Sequence, residues 1–522
     1  MGATTASEPE CPSGDGYLEV GPRVRGRRPS PLRALERAGH RAGRRPFTLE
    51  HAMPRPALVH RTALTAVAAL GAFALTTLPA AATATPAQIA TSKTNGVTYL
   101  KSLQQPDGSY AGTGLSNEWA FSALAAAGTA AVDVTPGGDA TKNARTVYRN
   151  LLATSAWPSA SPVVTDYERA ALNAYAAGID PARVSAARNL VADMYRYWQT
   201  AEPGYFGPSA NFNGTVFAAL ALNGARTTTG QIRVPQSLRD AVISRIRANQ
   251  HDDGGWNYSK AEGDPGALAA DSDIDMTGAA MAALCVSGVA NTDPDIVQAK
   301  TFLKGKLIAN TGAFDAMFGV NTDSNGWAVS GLNACGINPQ TGDFLTSKGK
   351  TPVDFLIGQQ FNPGGGFKYL PTDTTPQAYA SIDGLRAVAG GGFTATPPTP
   401  VTSGAPQWVG QTALTSGTAT SFALTVDDGT GSLKVCSVAL TPTGSTTTLG
   451  AVLDAATSAA TPSGCVSGVT PSSGTGQLTS LNGKANNGSS TWKASVDGSA
   501  FTTAARNRSI GVGDTIALRW GA

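Results

Sequence analysis

The sequence predicts a mainly α protein: six helical hairpins closed into an α6/α6 toroid, followed by a small β-rich domain. Three observations carry this. One apolar helical pattern is written six times, more charged helical segments alternate with it, and the composition changes abruptly near residue 407.

The clearest copy of the repeat is DSDIDMTGAAMAALCVSG, from Asp271 to Gly288. Alternating carboxylates suit a first helical turn, Ala and Leu sustain a helix, and Gly suits the residue after it. A helix this apolar on all sides has to be buried. NEWAFSALAAAG ends at Gly128, DYERAALNAYAAG runs from Asp166 to Gly178, and NGTVFAALALNG from Asn213 to Gly224. SNGWAVSGLNACG (Ser324 to Gly336) and TPQAYASIDGLRAVAG (Thr375 to Gly390) complete the set. Successive end-glycines are 46 to 64 residues apart, a period typical of stacked helical pairs. Ala186–Thr200, Pro235–Asn249 and Pro294–Leu307 are candidate outer helices, more charged and apolar on one side. An irregular helical bundle is the plainer alternative.

Taken in order, residues 1–52 are Arg- and Pro-rich without apolar periodicity and read as a disordered basic leader, with Met53 as an alternative start. Residues 53–84 read as a secretory signal: Arg55 and Arg61 precede an uncharged run, and Ala82-Thr83-Ala84 is an A-x-A cleavage site. The run is short for a stable membrane span, so no membrane insertion is expected after cleavage. Residues 1–84 hold 11 of the 39 basic and 6 of the 36 acidic residues, which leaves 28 against 30. A mature chain this balanced gives no footing for nucleic-acid binding. Residues 85–393 then form the toroid, 394–406 a Pro/Thr-rich linker and 407–522 the β-rich domain. Alternation in SFALTVDD and LKVCSVAL marks strands, Thr448–Ser458 one helix, and VGDTIALRWG a closing strand.

Four cysteines follow the leader, two in each region. Cys436 and Cys465 are expected to pair, as suits a secreted protein, while Cys285 and Cys335 either pair or stay as buried thiols. No C-x-x-C occurs and no metal site is expected.

If the six buried helices run in parallel, their N-terminal ends deliver Asn117, Trp119, Tyr167, Asn213, Thr215, Asp275, Thr277, Asn325, Trp327, Gln377 and Tyr379 to one mouth. Amides, hydroxyls and aromatics with one firm carboxylate suit a bulky neutral-to-anionic ligand, and helix dipoles favour anionic groups there. Helix capping is the competing explanation for many of these side chains. Asp271, Asp273 and Asp275 do not form a calcium loop, because Met276 stands where the sharp-turn Gly belongs and Ala282 where the bidentate Glu belongs. The only histidine after the leader, His251, lies in a turn, which excludes His–Ser and multi-His metal chemistry.

Gln250 to Trp256 (QHDDGGW) resembles the Q-x-x-x-G-x-W repeat of squalene–hopene and related terpene cyclases, with looser copies at Gln104–Tyr110 and Gln360–Phe367. Asp273-Ile-Asp275-Met276-Thr277 resembles their D-x-D-D-T motif, which implies Asp275 as catalytic acid, although Met replaces the supporting Asp. The zinc ligands of protein prenyltransferases have no counterpart. Asp275 to Cys285 (DMTGAAMAALC) is similar to a segment of the transcobalamin and intrinsic factor family. The C-terminal region is also similar to that family's β domain, through TLGAVLDAA, LTSLNGKANNGSSTWKASVDG and IGVGDTIALRW. That β module also occurs alone in bacterial surface proteins. This resemblance implies cobalamin held between toroid and β domain, with Asp275, Thr277, Asn325 and Gln377 on one side and Asn482 and Trp492 on the other.

The function expected is a secreted, non-enzymatic binding protein that requires no cofactor. Its small-molecule ligand, a corrinoid in the most specific form, would lie between toroid mouth and β domain. Other glycan, peptide or terpenoid ligands, a class II terpene cyclase-like enzyme with Asp275 as acid, and an adhesion module with a cell-surface partner are the alternatives.

Overall fold

The computed structural model describes residues 83–110, 115–155, 157–158, 160–264, 272–403, 418–441 and 447–522, with residues 115–117 described as backbone only. The six expected buried helices are α2 (Leu115–Ala126), α4 (Val164–Ala176), α6 (Phe212–Gly224), α8 (Ile274–Val286), α10 (Thr322–Ala334) and α12 (Ala378–Val388). Each packs on the next, and α12 packs back on α2, so the six close into a ring. They run in parallel, because their C-terminal ends meet side by side. Asn223 donates to Ser287 (2.8 Å), Asn333 donates to the Ala387 carbonyl (3.0 Å), and Cys285 is bonded to Cys335. The α8–α10 contact is close enough to require glycine: a Cβ on Gly278 would lie 2.5 Å from the Trp327 carbonyl oxygen.

Around the ring lie α1 (Pro86–Ser102), α3 (Ala144–Ala153), α5 (Leu190–Tyr195), α7 (Gln236–Ala248), α9 (Pro294–Gly305) and α11 (Pro352–Gly358). The repeat glutamines stitch this layer together. Gln250 Nε2 donates to the Gly254 carbonyl in its own turn (2.8 Å) and to Asp295 at the start of α9 (2.9 Å). Gln104 does the same with Gly108 and Val134, and Gln360 with Gly365 and Ser92. Ser92 belongs to α1, so the last glutamine ties the end of the toroid to its beginning.

One outer helix departs from expectation. The segment Ala186–Thr200 reads as an outer helix apolar on one side, yet α5 spans six residues and all six are buried. The cause is a second packing partner: strands β1 (Thr420–Asp427) and β2 (Leu433–Leu440) cover its outer side. Alternate residues of β1 divide between two cores. Ala423 belongs to the ring's core, whereas Phe422, Leu424 and Val426 belong to that of the β region.

The β region is built on a six-stranded sheet in the order β4-β2-β1-β11-β8-β9. Here β4 is Ala460–Thr461, β8 Thr491–Val496, β9 Thr502–Thr503 and β11 Thr515–Gly521. The pairing of β1 with β11 is parallel and the other pairings in this sheet are antiparallel. Small pairings of β3 (Thr447–Thr448) with β10 (Ser509–Ile510), and of β5 (Val469–Pro471), β6 (Leu478–Leu481) and β7 (Lys484–Ala485), complete it. Helix α13 (Leu449–Ala459) covers β2 and is capped by Thr448, whose hydroxyl accepts from Ala451 N. The second disulfide, Cys436–Cys465, lies in this core. Together the described residues form a mainly α toroid with a small C-terminal β region.

Candidate functional site

The inner helices start in near register, so equivalent positions can be compared. The fourth residue of four successive inner helices has one task. Thr215 Oγ1 accepts from Phe206 N (3.2 Å), Thr277 Oγ1 from Trp256 N (3.1 Å), Asn325 Oδ1 from Phe314 N (2.6 Å) and Ser381 Oγ from Phe367 N (2.8 Å). Each therefore points outward and holds the aromatic residue of the turn that precedes its helix. Tyr167, fourth in α4, also points outward, with its ring against Trp157 and Tyr197. Thr277, Asn325 and Tyr167, expected at the mouth, are structural for this reason.

Residues two and six of a helix lie on one face, about 200° and 200° from the fourth. These positions face the lumen. The second position carries Asn213, Asp275, Asp323 and Tyr379 around the rim. At the sixth stand Phe217, Trp327 and Asp383, joined by Trp119 from α2. Phe217 lies edge-on to Trp327 (5.5 Å) and tilted against Trp119 (5.9 Å). Gln377 is an exposed N-terminal flank of α12, and the side chain of Asn117 lies outside the described residues, as does Asp271.

The lumen is closed at its C-terminal end. After α12 the chain turns inward through Gly390, Gly391 and Gly392, and Phe393 fills the centre, fully buried. Its ring meets Trp119 (6.2 Å), Phe217 (6.1 Å) and Trp327 (5.1 Å). Small residues are needed on this path: a Cβ at Gly391 would lie 2.5 Å from that of Ala126. The expected linker continues across this end. Thr402 N donates to the Gly178 carbonyl (2.9 Å) and Asp180 N to the Thr402 carbonyl (3.0 Å), so residues 394–403 begin as a strap held on the toroid.

Electrostatically the lumen is acidic. Asp275, Asp323 and Asp383 come from three neighbouring helices; the Arg386 guanidinium pairs with Asp383 and acts at longer range on Asp323. Arg386 also lies over Phe393 (4.7 Å) and Trp119 (5.6 Å), a cation held on aromatic faces. Burial pushes the Asp275 carboxyl up to about 7, aided by the charges of Asp273 and Asp383 and opposed by a hydrogen bond from Ser324. Asp323 is raised well above the usual carboxylate range by burial and then by Asp383. Asp273 caps α8 by accepting from Met276 N (2.7 Å), and burial raises it to about 6. Among the described residues no cluster of His, Cys, Asp and Glu is arranged to hold a metal ion.

The sequence reading missed Phe217, Asp323, Asp383, Arg386 and Phe393. Asp323 was detectable, since it stands two residues before Asn325 as Asp275 stands two before Thr277. The remaining four required knowledge of which helix face looks inward.

Among the described residues the β region makes its contacts with the toroid away from this mouth. It is anchored on α5 and on the loops that follow the C-terminal ends of α4 and α6. Arg183 pairs with Asp180 (3.2 Å), Asp497 (2.9 Å) and Asp514 (2.7 Å), and Arg233 with Asp180 (2.5 Å) and Asp497 (2.7 Å). Asn189 donates to the Ser421 carbonyl (3.1 Å). Trp492, expected to face a ligand, is fully buried in the β core and donates through Nε1 to the Lys484 carbonyl (2.8 Å). Asn482 has φ +53° and donates to the Cys465 carbonyl (3.0 Å), which fixes a turn. A clamp closed by these two residues over the N-terminal mouth is therefore absent from this arrangement.

No protein-family model and no curated protein sequence matches the chain. Solved structures of similar fold include haptocorrin in complex with Cbi, at 12% identity and TM-score 0.33, covering 83% of this chain and 97% of that one. A type II terpene cyclase from Scytonema, in complex with geranylgeranyl dihydroxybenzoate, matches at 15% identity and TM-score 0.38, covering 60% of this chain and 99% of its own. Protein geranylgeranyltransferase-I from Candida albicans matches at 13% identity and TM-score 0.37, covering 51% and 83%.

Proposed function

We propose that the mature chain, residues 85–522, is a secreted binding protein that holds a bulky small molecule in the N-terminal mouth of the toroid. One observation carries this reading: Asp275, Asp323, Trp327 and Trp119 face a lumen that Phe393 closes from behind. A blind lumen lined by partly exposed indoles and by carboxyls without matching cations suits a ligand better than a packed core. The leader-like residues 53–84 and the two disulfides support secretion. A corrinoid is the most specific candidate, and its peripheral amides would offer N–H donors to the acidic rim. The test titrates cyanocobalamin and squalene against the full mature chain and its Trp327→Ala variant. Saturable binding of either that Trp327→Ala weakens supports the reading. Binding that ignores the substitution overturns it.

A second reading has its own support. A carboxyl raised to about 7 chiefly by burial is suited to donate a proton, so Asp275 would serve as general acid toward a polyene. Cyclised product from squalene, abolished by Asp275→Asn, would favour this chemistry.

A further inference from the structure

The construction of the lumen bears on the charge of the ligand it would take. From the rim inward the order is a belt of apolar side chains, then carboxyls, then indoles. Five of the described residues' seven exposed large hydrophobics stand at this end: Val163, Tyr258, Met317, Phe318 and Tyr379. Val163 caps α4, Tyr379 starts α12, Met317 and Phe318 precede α10, and the Tyr258 carbonyl accepts from Asn213 N at the start of α6. One layer deeper lie Asp275 and Asp323, each with one carboxyl oxygen, Oδ1, shut from water and without a hydrogen-bond partner. Below them are Trp327 and Trp119, with Asp383 beside them.

The chain itself shows what this lining accepts. Arg386 is 1% exposed, pairs with Asp383 and lies on Trp119 and Phe393. Arg386 is committed to Asp383, and Arg169 on α4 to Glu118 and Asp166, so among the described residues Asp275 and Asp323 have no ion-pair partner beside the partly exposed Trp327. No tight metal-type cluster exists among the described residues, so a compact metal ion is a poor occupant. A diffuse, weakly hydrated organic cation fits carboxyls set apart around an indole.

We propose that the lumen binds the ammonium group of an amphiphilic ligand, its cationic nitrogen on Trp327 between Asp275 and Asp323 and its apolar part against the exposed belt. The proposal rests on the binding function proposed above and names the ligand class for that same site. An anionic ligand, which helix dipoles alone would favour, is disfavoured here because the nearest fixed groups are carboxyls.

Binding depends on pH in a defined sense. The groups around the cation are Asp273 at the cap of α8, Asp275 on α8, Asp323 on α10, and Asp383 and Arg386 on α12, with His251 acting on Asp273. Because burial holds Asp275 and Asp323 above the ordinary carboxylate range, an arriving cation has to displace protons. Affinity should therefore rise as pH increases from 6 to 8.

The experiment uses the full mature chain, with calorimetry and tryptophan fluorescence as readouts. Choline and its neutral isostere 3,3-dimethylbutan-1-ol are titrated first, then dodecyltrimethylammonium and the uncharged dodecyl maltoside below their micellar concentrations. The expected result is preference for each cation over its neutral partner, stronger binding at pH 8 than at pH 6, and about tenfold weaker binding in Trp327→Ala and in Asp323→Asn. Both variants are checked by thermal melting, and Asp323→Asn preserves shape if Trp327→Ala unfolds. Equal binding of cation and neutral isostere overturns the proposal. Cyanocobalamin binding without any ammonium binding overturns it too, but leaves the proposed function standing. If no probe responds to either substitution, both fall.

Discussion

Replacing Glu168 by Leu should stabilise the protein. Glu168 lies in α4 and is fully buried, and neither of its carboxyl oxygens has a hydrogen-bond partner. It shares a helix face with Val164, which packs under Gly207 and Gly214, and with Leu172, which packs under Gly224. That face meets α6, whose sequence FNGTVFAALALNG offers little to bond a carboxyl. Burial raises the Glu168 pKa well above its ordinary value of 4.5, so the folded chain holds a proton that the unfolded chain releases. The contribution is therefore most favourable below the unfolded value and is lost as pH rises toward the folded one. Over that window each pH unit costs about 1.4 kcal/mol. A buried unpaired polar group costs a further ~1–3 kcal/mol, and Leu, of similar length, leaves no such group. Urea unfolding of wild type and Glu168→Leu from pH 5 to 8 measures both effects. The variant should be more stable by at least ~1 kcal/mol at pH 7 and should lose part of the wild-type fall in stability with pH. A variant less stable than wild type, with the same pH slope, would refute the reasoning and mean that the carboxyl is satisfied.

Three further outcomes are expected. Phe393→Ala should empty the centre of the toroid and lower stability by ~3–5 kcal/mol, read as a fall in melting temperature. Arg233→Met removes a fully buried guanidinium from Asp180 and Asp497, which leaves carboxylate charge uncompensated at the seam between toroid and β region. The cost should be ~3 kcal/mol or more by urea unfolding, and a neutral result would mean that Arg183 serves all three carboxylates alone. Reducing Cys436–Cys465, which are 29 residues apart, should cost ~3–4 kcal/mol in a melt with and without reductant.

The architecture was legible because the repeat constrains it twice over. Each buried helix had to be apolar all round, and each ends at a glycine; all six appear where the pattern put them. Strands β1 and β2 could be read from alternation in SFALTVDD and LKVCSVAL. What the pattern could not carry was partnership between distant segments. α5 looks like a poor outer helix until β1 and β2 cover its second side. Trp492 is a ligand contact by resemblance to the transcobalamin β domain alone, yet a buried indole satisfied by Lys484 belongs to a core. Phe393 sits at the end of a glycine run that reads as a boundary, and only the closed ring makes it a plug.

The candidate site illustrates a more general separation. Asp275 and Thr277 are two residues apart, and the sequence offers them as one polar mouth. A helix places them about 200° apart, so one meets the lumen and the other the outer layer. The same division recurs in Asn213 and Thr215, in Asp323 and Asn325, and in Tyr379 and Ser381. Position four is constrained, because it holds the aromatic turn that binds one repeat to the next. Position two is free of that duty and varies in charge and size around the rim: amide, carboxyl, carboxyl, phenol. The fold can therefore change what its mouth recognises without loosening its ring, and the residues that identify the fold are the wrong ones to consult for the ligand. In the proposed binding site the two carboxyls and the indole beneath them would carry the ligand's identity, whereas the hydroxyls that resemble a motif hold the toroid together.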